Sequence, residues 1–191
     1  MHTNSAQVPH RTSTLSRGHA LIHAEYPIEQ TLRGHDAEIQ SLLMQEAWSR
    51  DTRPEGTLFV ADYDGLRLLG RSEGALDAAV TPLRNRFGDR LVVDEPSVRY
   101  AFGVPTLEPY MTVLINAPTH CMSVIQRDFL QRRGRTNRLR RRISFVLEGE
   151  APLASLLGYE QWIRESMTEV PYVGLCLSRY LPIDDDGPQA A

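Results

Sequence analysis

The sequence contains no lysine, so all 21 of its basic residues are arginines. A catalytic, Schiff-base or phosphate-binding lysine is therefore absent. The G-x-x-x-x-G-K-[ST] loop of P-loop nucleotide hydrolases cannot occur without its lysine, which excludes that class of enzyme.

Cysteines and long apolar runs are also scarce. The two thiols, Cys121 and Cys176, are far apart in the chain. We therefore expect no disulfide framework and interpret both as buried or half-buried small apolar residues. No stretch approaches the ~18 apolar residues of a membrane span, and the polar first 20 residues lack a signal-peptide core. These absences predict a cytoplasmic protein.

The motifs of common catalytic sites are missing too. The sequence has neither a G-x-S-x-G nucleophile elbow nor an H-E-x-x-H metal motif. Asp62 and Asp64 resemble a carboxylate pair, but they flank a turn of the Asp-Gly type that commonly joins hairpin strands. We therefore expect no enzymatic activity, no cofactor and no metal.

The first half of the chain predicts the order β-α-β-β-α-β. Period-2 and period-3.6 patterns place its strands at Ala20–Tyr26, Thr57–Ala61, Leu66–Gly70 and Leu91–Val93, and its helices at Asp36–Ser49 and Glu73–Phe87.

The second half repeats this order. We predict a strand at Tyr110–Asn116 and a helix from Pro118 or Thr119 to about Arg132. A hairpin at Gly134–Asn137 then leads into a strand that ends near Glu148. A helix from Pro152 and a strand at Tyr172–Tyr180 complete the unit.

Two such units imply an α+β fold of two tandem ferredoxin-like βαββαβ sandwiches. The predicted boundaries are a disordered tail at 1–17, a first module at 18–102, a second at 107–182 and an acidic tail at 183–191. The linker Gly103–Thr106 is short, so we expect the modules to lie close together.

Three segments of the second half resemble the fifth domain of elongation factor G. They are the Glu-Pro-led strand start at Leu107–Tyr110, the Arg-Arg-Gly helix end at Leu130–Gly134, and the Pro-Leu-Ala…Gly-Tyr run at Pro152–Tyr159.

Segments of the first half, Gly70–Leu76, Pro82–Phe87 and Pro96–Tyr100, resemble the third domain, although the usual Leu-His-Leu reads Leu76-Asp77-Ala78. Direct joining of the two domains is similar to the BipA-type and LepA-type translational GTPases. The resemblance covers about residues 19–182 and implies a relative of these factors that lacks the GTPase domain.

A cluster of arginines is the main candidate for binding. Residues 127–142 carry eight arginines and one acid, a net charge of +7, so the rest of the chain carries −10. Alternation along a strand places Arg138, Arg140 and Arg142 opposite an apolar face. Guanidinium groups offer a planar fork of donors that suits phosphate. The predicted RNA-binding residues are Arg132, Arg133, Arg135, Arg138, Arg140 and Arg142.

Two other interpretations stay open at this point. The arginines could be a solvated strand face that pairs with the chain's many acids. In addition, Tyr110, Tyr172 and Tyr180 have the parity of the open sheet face. An RNA-recognition motif uses the same element order and stacks bases on such aromatic residues.

The predicted function is that of a non-catalytic protein that binds the ribosome through large-subunit rRNA and modulates translational GTPase action. The rRNA partner is implied by the resemblance to elongation factor G. The alternative is a protein–protein interaction module, or a homodimer, that keeps the fold without binding the ribosome, since fold alone does not fix function.

Overall fold

The structure, a computed structural model, describes residues 25–48, 54–101, 104–141, 144–167, 169 and 171–183. These residues form two α+β units, each with an antiparallel sheet and two α-helices. The predicted tail at 1–17 and residues 184–191 of the acidic tail lie outside the described residues.

The first unit is a ferredoxin-like module. Its elements are β1 (Ile28–Gly34), α1 (Ala37–Trp48), β2 (Thr57–Asp62), β3 (Gly65–Gly70), α2 (Glu73–Phe87) and β4 (Leu91–Val93). The strand order is β2-β3-β1-β4, and a short β5 (Ser97–Val98) also pairs with β1. Every pairing is antiparallel.

Local sequence explains where α2 begins and ends. The Oγ of Ser72 accepts a hydrogen bond of 3.2 Å from the backbone N–H of Ala75, which caps the first turn. At the other end Gly88 has a φ of 57°, a left-handed conformation that glycine adopts without strain. One stripe of the helix is buried against the sheet: Leu76, Ala79, Val80, Leu83 and Phe87.

The predicted first strand was wrong. The first strand of the sheet is β1 and not the predicted Ala20–Tyr26, of which residues 20–24 lie outside the described residues. In β1 the buried positions alternate as Ile28, Gln30 and Leu32. The central position is polar, which hides the apolar alternation, and its side-chain Nε2 donates to the carbonyl of Asp94 at 2.8 Å.

The second unit repeats the arrangement. Its elements are β6 (Leu107–Pro118), α3 (Met122–Gln131), β7 (Arg135–Arg141), β8 (Ser144–Pro152), α4 (Tyr159–Ser166) and β9 (Tyr172–Pro182). The strand order β7-β8-β6-β9 matches that of the first sheet, and both modules confirm the predicted α+β, ferredoxin-like fold.

Two predictions in the second module were wrong. Residues 134–137 are not a hairpin turn, because Gly134 closes α3 through an N–H bond of 2.9 Å to the carbonyl of Phe129 and β7 begins at the next residue. Pro152 ends β8 instead of starting a helix. A 3₁₀ turn, Leu153–Ser155, follows it, and α4 begins only after Gly158.

Backbone and side-chain hydrogen bonds join the two modules. Ala101 and Leu107, on either side of the linker, form an antiparallel bridge. Both carboxylate oxygens of Glu73, at the start of α2, accept from the backbone N–H of Gly158 at 3.0 Å. Burial raises the pKa of the Glu73 carboxyl, although the Gly158 hydrogen bond lowers it.

None of the helices in the described part of the chain combines the length and the hydropathy that a membrane crossing requires.

Two glycine-to-alanine substitutions should have opposite effects on the free energy of unfolding, because a Cβ at Gly149 would meet Phe129 whereas a Cβ at Gly74 would meet open space. A Cβ at Gly149 would lie 2.6 Å from the carbonyl oxygen of Arg135 and 2.7 Å from Cε1 of Phe129. Gly149→Ala should therefore lower the free energy of unfolding by about 1–3 kcal/mol. Gly74→Ala, in α2, finds open space apart from Ser72 Oγ at 4.0 Å. It should raise that free energy by about 0.4–1 kcal/mol. Urea unfolding of both variants measures the two changes in the free energy of unfolding. Changes of equal size and sign would contradict the prediction.

Candidate nucleic-acid interface

The register between β7 and β8 decides which side chains of β7 face solvent. In β8 the buried positions alternate as Phe145, Leu147, Gly149 and Ala151, and Pro152 at the end of the strand is buried as well. Their neighbours Val146, Glu148 and Glu150 point to the other, open face of the sheet. These three pair with Arg140, Arg138 and Arg135 respectively, and directly paired residues share a face. All three arginines are exposed on the open face.

This placement agrees with the prediction that Arg138 and Arg140 share the face opposite the apolar residues. However, the predicted single strand that ends near Glu148 is in fact two strands, β7 and β8. Leu139 pairs with Leu147 on the helix-covered face, opposite the arginines. Strict alternation would place Arg135 on the opposite face from Arg138, yet Arg135 also lies on the open face. The register shifts between Thr136 and Arg138, so Asn137 is the extra residue of a β-bulge. The sequence pattern has no marker for this bulge.

We call Arg135, Arg138 and Arg140 the arginine edge, because β7 is the outer strand of its sheet. Among the described residues, no carboxylate oxygen lies within 4.0 Å of any of their guanidinium nitrogens. Two i, i+2 neighbours on one strand stand ~6–7 Å apart, so the edge concentrates positive charge along a short line.

A contact from β9 occupies the carboxylate that lies opposite Arg135. Glu150, the cross-strand partner of Arg135, accepts from NH2 of Arg179 at 2.5 Å and from Oγ of Ser178 at 2.8 Å. Both donors lie on β9, at the other edge of the sheet from β7. Glu150 is thereby engaged by β9 and not by the arginine edge.

Arg132 is placed quite differently. Its Nε donates to Asp128 at 2.7 Å and its NH1 donates to the carbonyl of Ser155 at 2.9 Å. The guanidinium carbon lies 4.8 Å from the ring centroid of Tyr159 and 5.6 Å from that of Trp162. These contacts hold Arg132 within the helix layer. We therefore leave it out of the candidate interface.

Tyr159, which Arg132 covers, is fully buried. Burial raises the pKa of its hydroxyl well above the usual value, with Asp128 adding to the rise and Arg132 opposing it. The tyrosine is thus neutral at physiological pH and serves as core.

Arg133 and Arg142 complete the predicted set. Arg133 has a φ of 61°, and its NH1 lies 3.6 Å from Oε2 of the buried Glu108. It is therefore partly committed to an ion pair, although half of its side chain is exposed. Arg142 lies outside the described residues.

Of the three tyrosines predicted to lie on the open face, two do so in the structure. Tyr110 and Tyr172 lie on that face, and Tyr172 is 62% exposed. Tyr180 does not, because an irregularity between the pairs of Tyr110 and Met111 shifts the register and pairs Tyr180 with Pro109. Burial raises the pKa of Tyr180, and nearby Arg99 lowers it. The prediction for Tyr180 was wrong.

The cysteines also differ from each other. Cys121 is buried, which agrees with the prediction, but Cys176 is exposed on β9, so its interpretation as a buried or half-buried residue was wrong. Within the described residues, no three His, Cys, Asp or Glu side chains come together in a way that could hold a metal ion.

Comparison with known proteins gives a match for the module that carries the arginine edge. Residues 105–169 match the family model described as elongation factor G C-terminus. The second module is an elongation factor G-like C-terminal domain. The match begins just before β6 and ends after α4, so it includes β7 and the whole arginine edge. No curated protein matches the chain.

The geometry predicts that two arginines of this elongation factor G-like domain differ in their effect on stability. Arg132→Ala removes two charge-assisted hydrogen bonds and two cation–π contacts, so it should lower the free energy of unfolding by about 2–4 kcal/mol. Arg138→Ala should change it by less than about 0.5 kcal/mol, because the side chain is exposed. Denaturant titration of the two variants measures both values. A large loss for Arg138→Ala would show that the arginine edge is structural.

Proposed function

We propose that the protein acts without catalysis, as a ribosome-associated protein whose elongation factor G-like domain contacts large-subunit rRNA through the arginine edge. In this role it would modulate the action of translational GTPases that use the same surface of the ribosome.

The observation that carries the proposal is that three exposed arginines with no ion pair among the described residues lie in line on one face of the outer strand β7. Arg33, Arg67 and Arg90 of the first module each pair with a carboxylate. Arg135, Arg138 and Arg140 have no such partner among the described residues, and they lie on a domain similar to part of a ribosomal factor. An RNA backbone would supply the missing negative charge.

We further propose that the first module corresponds to the third domain of elongation factor G, joined directly to the C-terminal domain as in BipA-type and LepA-type factors. Its ferredoxin-like strand order and the α2 segment that follows Gly70 support this. The bridge between Ala101 and Leu107 supports close joining.

A second candidate function, a protein-interaction module or homodimer, is favoured by one observation. Leu139 is 41% exposed on the outer strand β7, which could pair with another strand. However, charged side chains on edge strands disfavour edge-to-edge pairing, and β7 carries the arginine edge. We therefore prefer RNA.

Charge reversal tests the proposal. In the variant Arg138→Glu/Arg140→Glu, co-sedimentation with large ribosomal subunits should fall at least about tenfold, because attraction to phosphate becomes repulsion. For the unaltered protein, raising the salt concentration should also release it from the subunits. A milder Arg138→Ala/Arg140→Ala variant should lie in between.

The matched control is Arg84→Glu/Arg127→Glu. Both residues are exposed on helices, and neither has an ion pair among the described residues. The change in net charge is identical, but neither residue is part of the arginine edge. Equal losses in the two variants would indicate nonspecific attraction. Unchanged sedimentation of the edge variant would remove the arginine edge from the proposal, and a nuclease-insensitive protein partner would favour the alternative.

A further inference from the structure

Tyr172 lies on the open face of the second sheet with its ring over Gly174. A Cβ placed on Gly174 would be 3.1 Å from the Tyr172 hydroxyl oxygen, 3.4 Å from Cε1 and 3.5 Å from Cζ. The ring therefore extends across the glycine along the sheet. Since the residue is 62% exposed, one π-face remains open to solvent.

The strand registers place this ring in line with the arginine edge. Tyr172 pairs with Asn116, which pairs with Val146, which pairs with Arg140. The four side chains form one row across the open face. Three strand spacings of ~4.8 Å separate its ends, so the Cα atoms of Tyr172 and Arg140 lie about 14 Å apart.

The neighbouring row adds an apolar and an acidic group. Leu114, 37% exposed, lies between Gly174 and Glu148, and Glu148 pairs with Arg138. The carboxylate of Glu148 disfavours a phosphate over the middle of the sheet. Phosphates are therefore best placed along β7, with a base turned inward across the sheet.

We propose that this face binds single-stranded RNA, with a base stacked on Tyr172 and phosphates on Arg138 and Arg140. The inference rests on the proposed RNA contact and narrows it to unpaired nucleotides. In a duplex the faces of the bases are stacked on each other and unavailable to Tyr172. In a single strand they are free to stack on an aromatic side chain, which accepts any base.

The test uses the full chain and a fluorescein-labelled RNA of about ten nucleotides, within the usual site size of single-strand binders. Fluorescence anisotropy compares the single strand with the same sequence in a duplex. The single strand should bind more tightly. Tyr172→Leu should weaken its binding by about 5- to 100-fold, whereas Tyr172→Phe, which keeps the ring, should stay within about twofold of the unaltered protein.

Tyr63→Leu is the matched control, since Tyr63 is 100% exposed in the first module. It should leave RNA binding unchanged. The exposure of Tyr172 means that its replacement should also leave the melting temperature unchanged, which a thermal scan verifies.

The outcomes separate this inference from the proposed function. Equal binding by Tyr172→Leu and the unaltered protein, or a preference for the duplex, overturns the stacking site. If ribosome co-sedimentation still depends on Arg138 and Arg140, the proposed function stands without it. If neither RNA form binds and ribosomes do not co-sediment, both proposals fail.

Discussion

The register between β7 and β8 is the constraint on which the candidate interface depends. Side chains alternate along a strand, so a slip of one residue would turn the arginine edge towards the helices. Such a slip is disfavoured, because it would turn Leu139 away from Leu147 and bring charged guanidinium groups to the helix-covered face. Phe129 adds to this, since its ring occupies the space that a side chain at Gly149 would need. The core of the second module therefore fixes the orientation of its surface charge.

The distribution of carboxylates completes the arrangement. Asp128 holds Arg132 in the helix layer, and Arg179 engages Glu150 from β9. The same residue type thus has two roles within a few positions. Arg132 is partly buried and packs on aromatic rings, whereas Arg138 and Arg140 lie on the surface, and no carboxylate oxygen of the described residues lies within 4.0 Å of their guanidinium nitrogens. These arginines are close together in the sequence, so their roles are told apart only by the contacts of each side chain in the folded domain.

The sequence predicted what depends on periodicity and missed what depends on irregular backbone. The helix Glu73–Phe87 was predicted with its observed limits, because its apolar stripe is a local signal. The strand β1 was missed because Gln30 interrupts its alternation. The irregularities near Asn137 and Tyr110 set the faces of Arg135 and Tyr180, and they arise from pairing between distant strands. Similarly, only the folded chain shows that Arg132 meets Tyr159.

The most direct test of rRNA contact at the arginine edge is sequencing of the RNA that is photo-crosslinked to the protein in cells. The account predicts a discrete set of large-subunit rRNA positions that disappears when Arg138 and Arg140 are reversed to glutamate. Crosslinks spread over cellular RNA without a large-subunit peak, or a peak that survives the charge reversal, would contradict it.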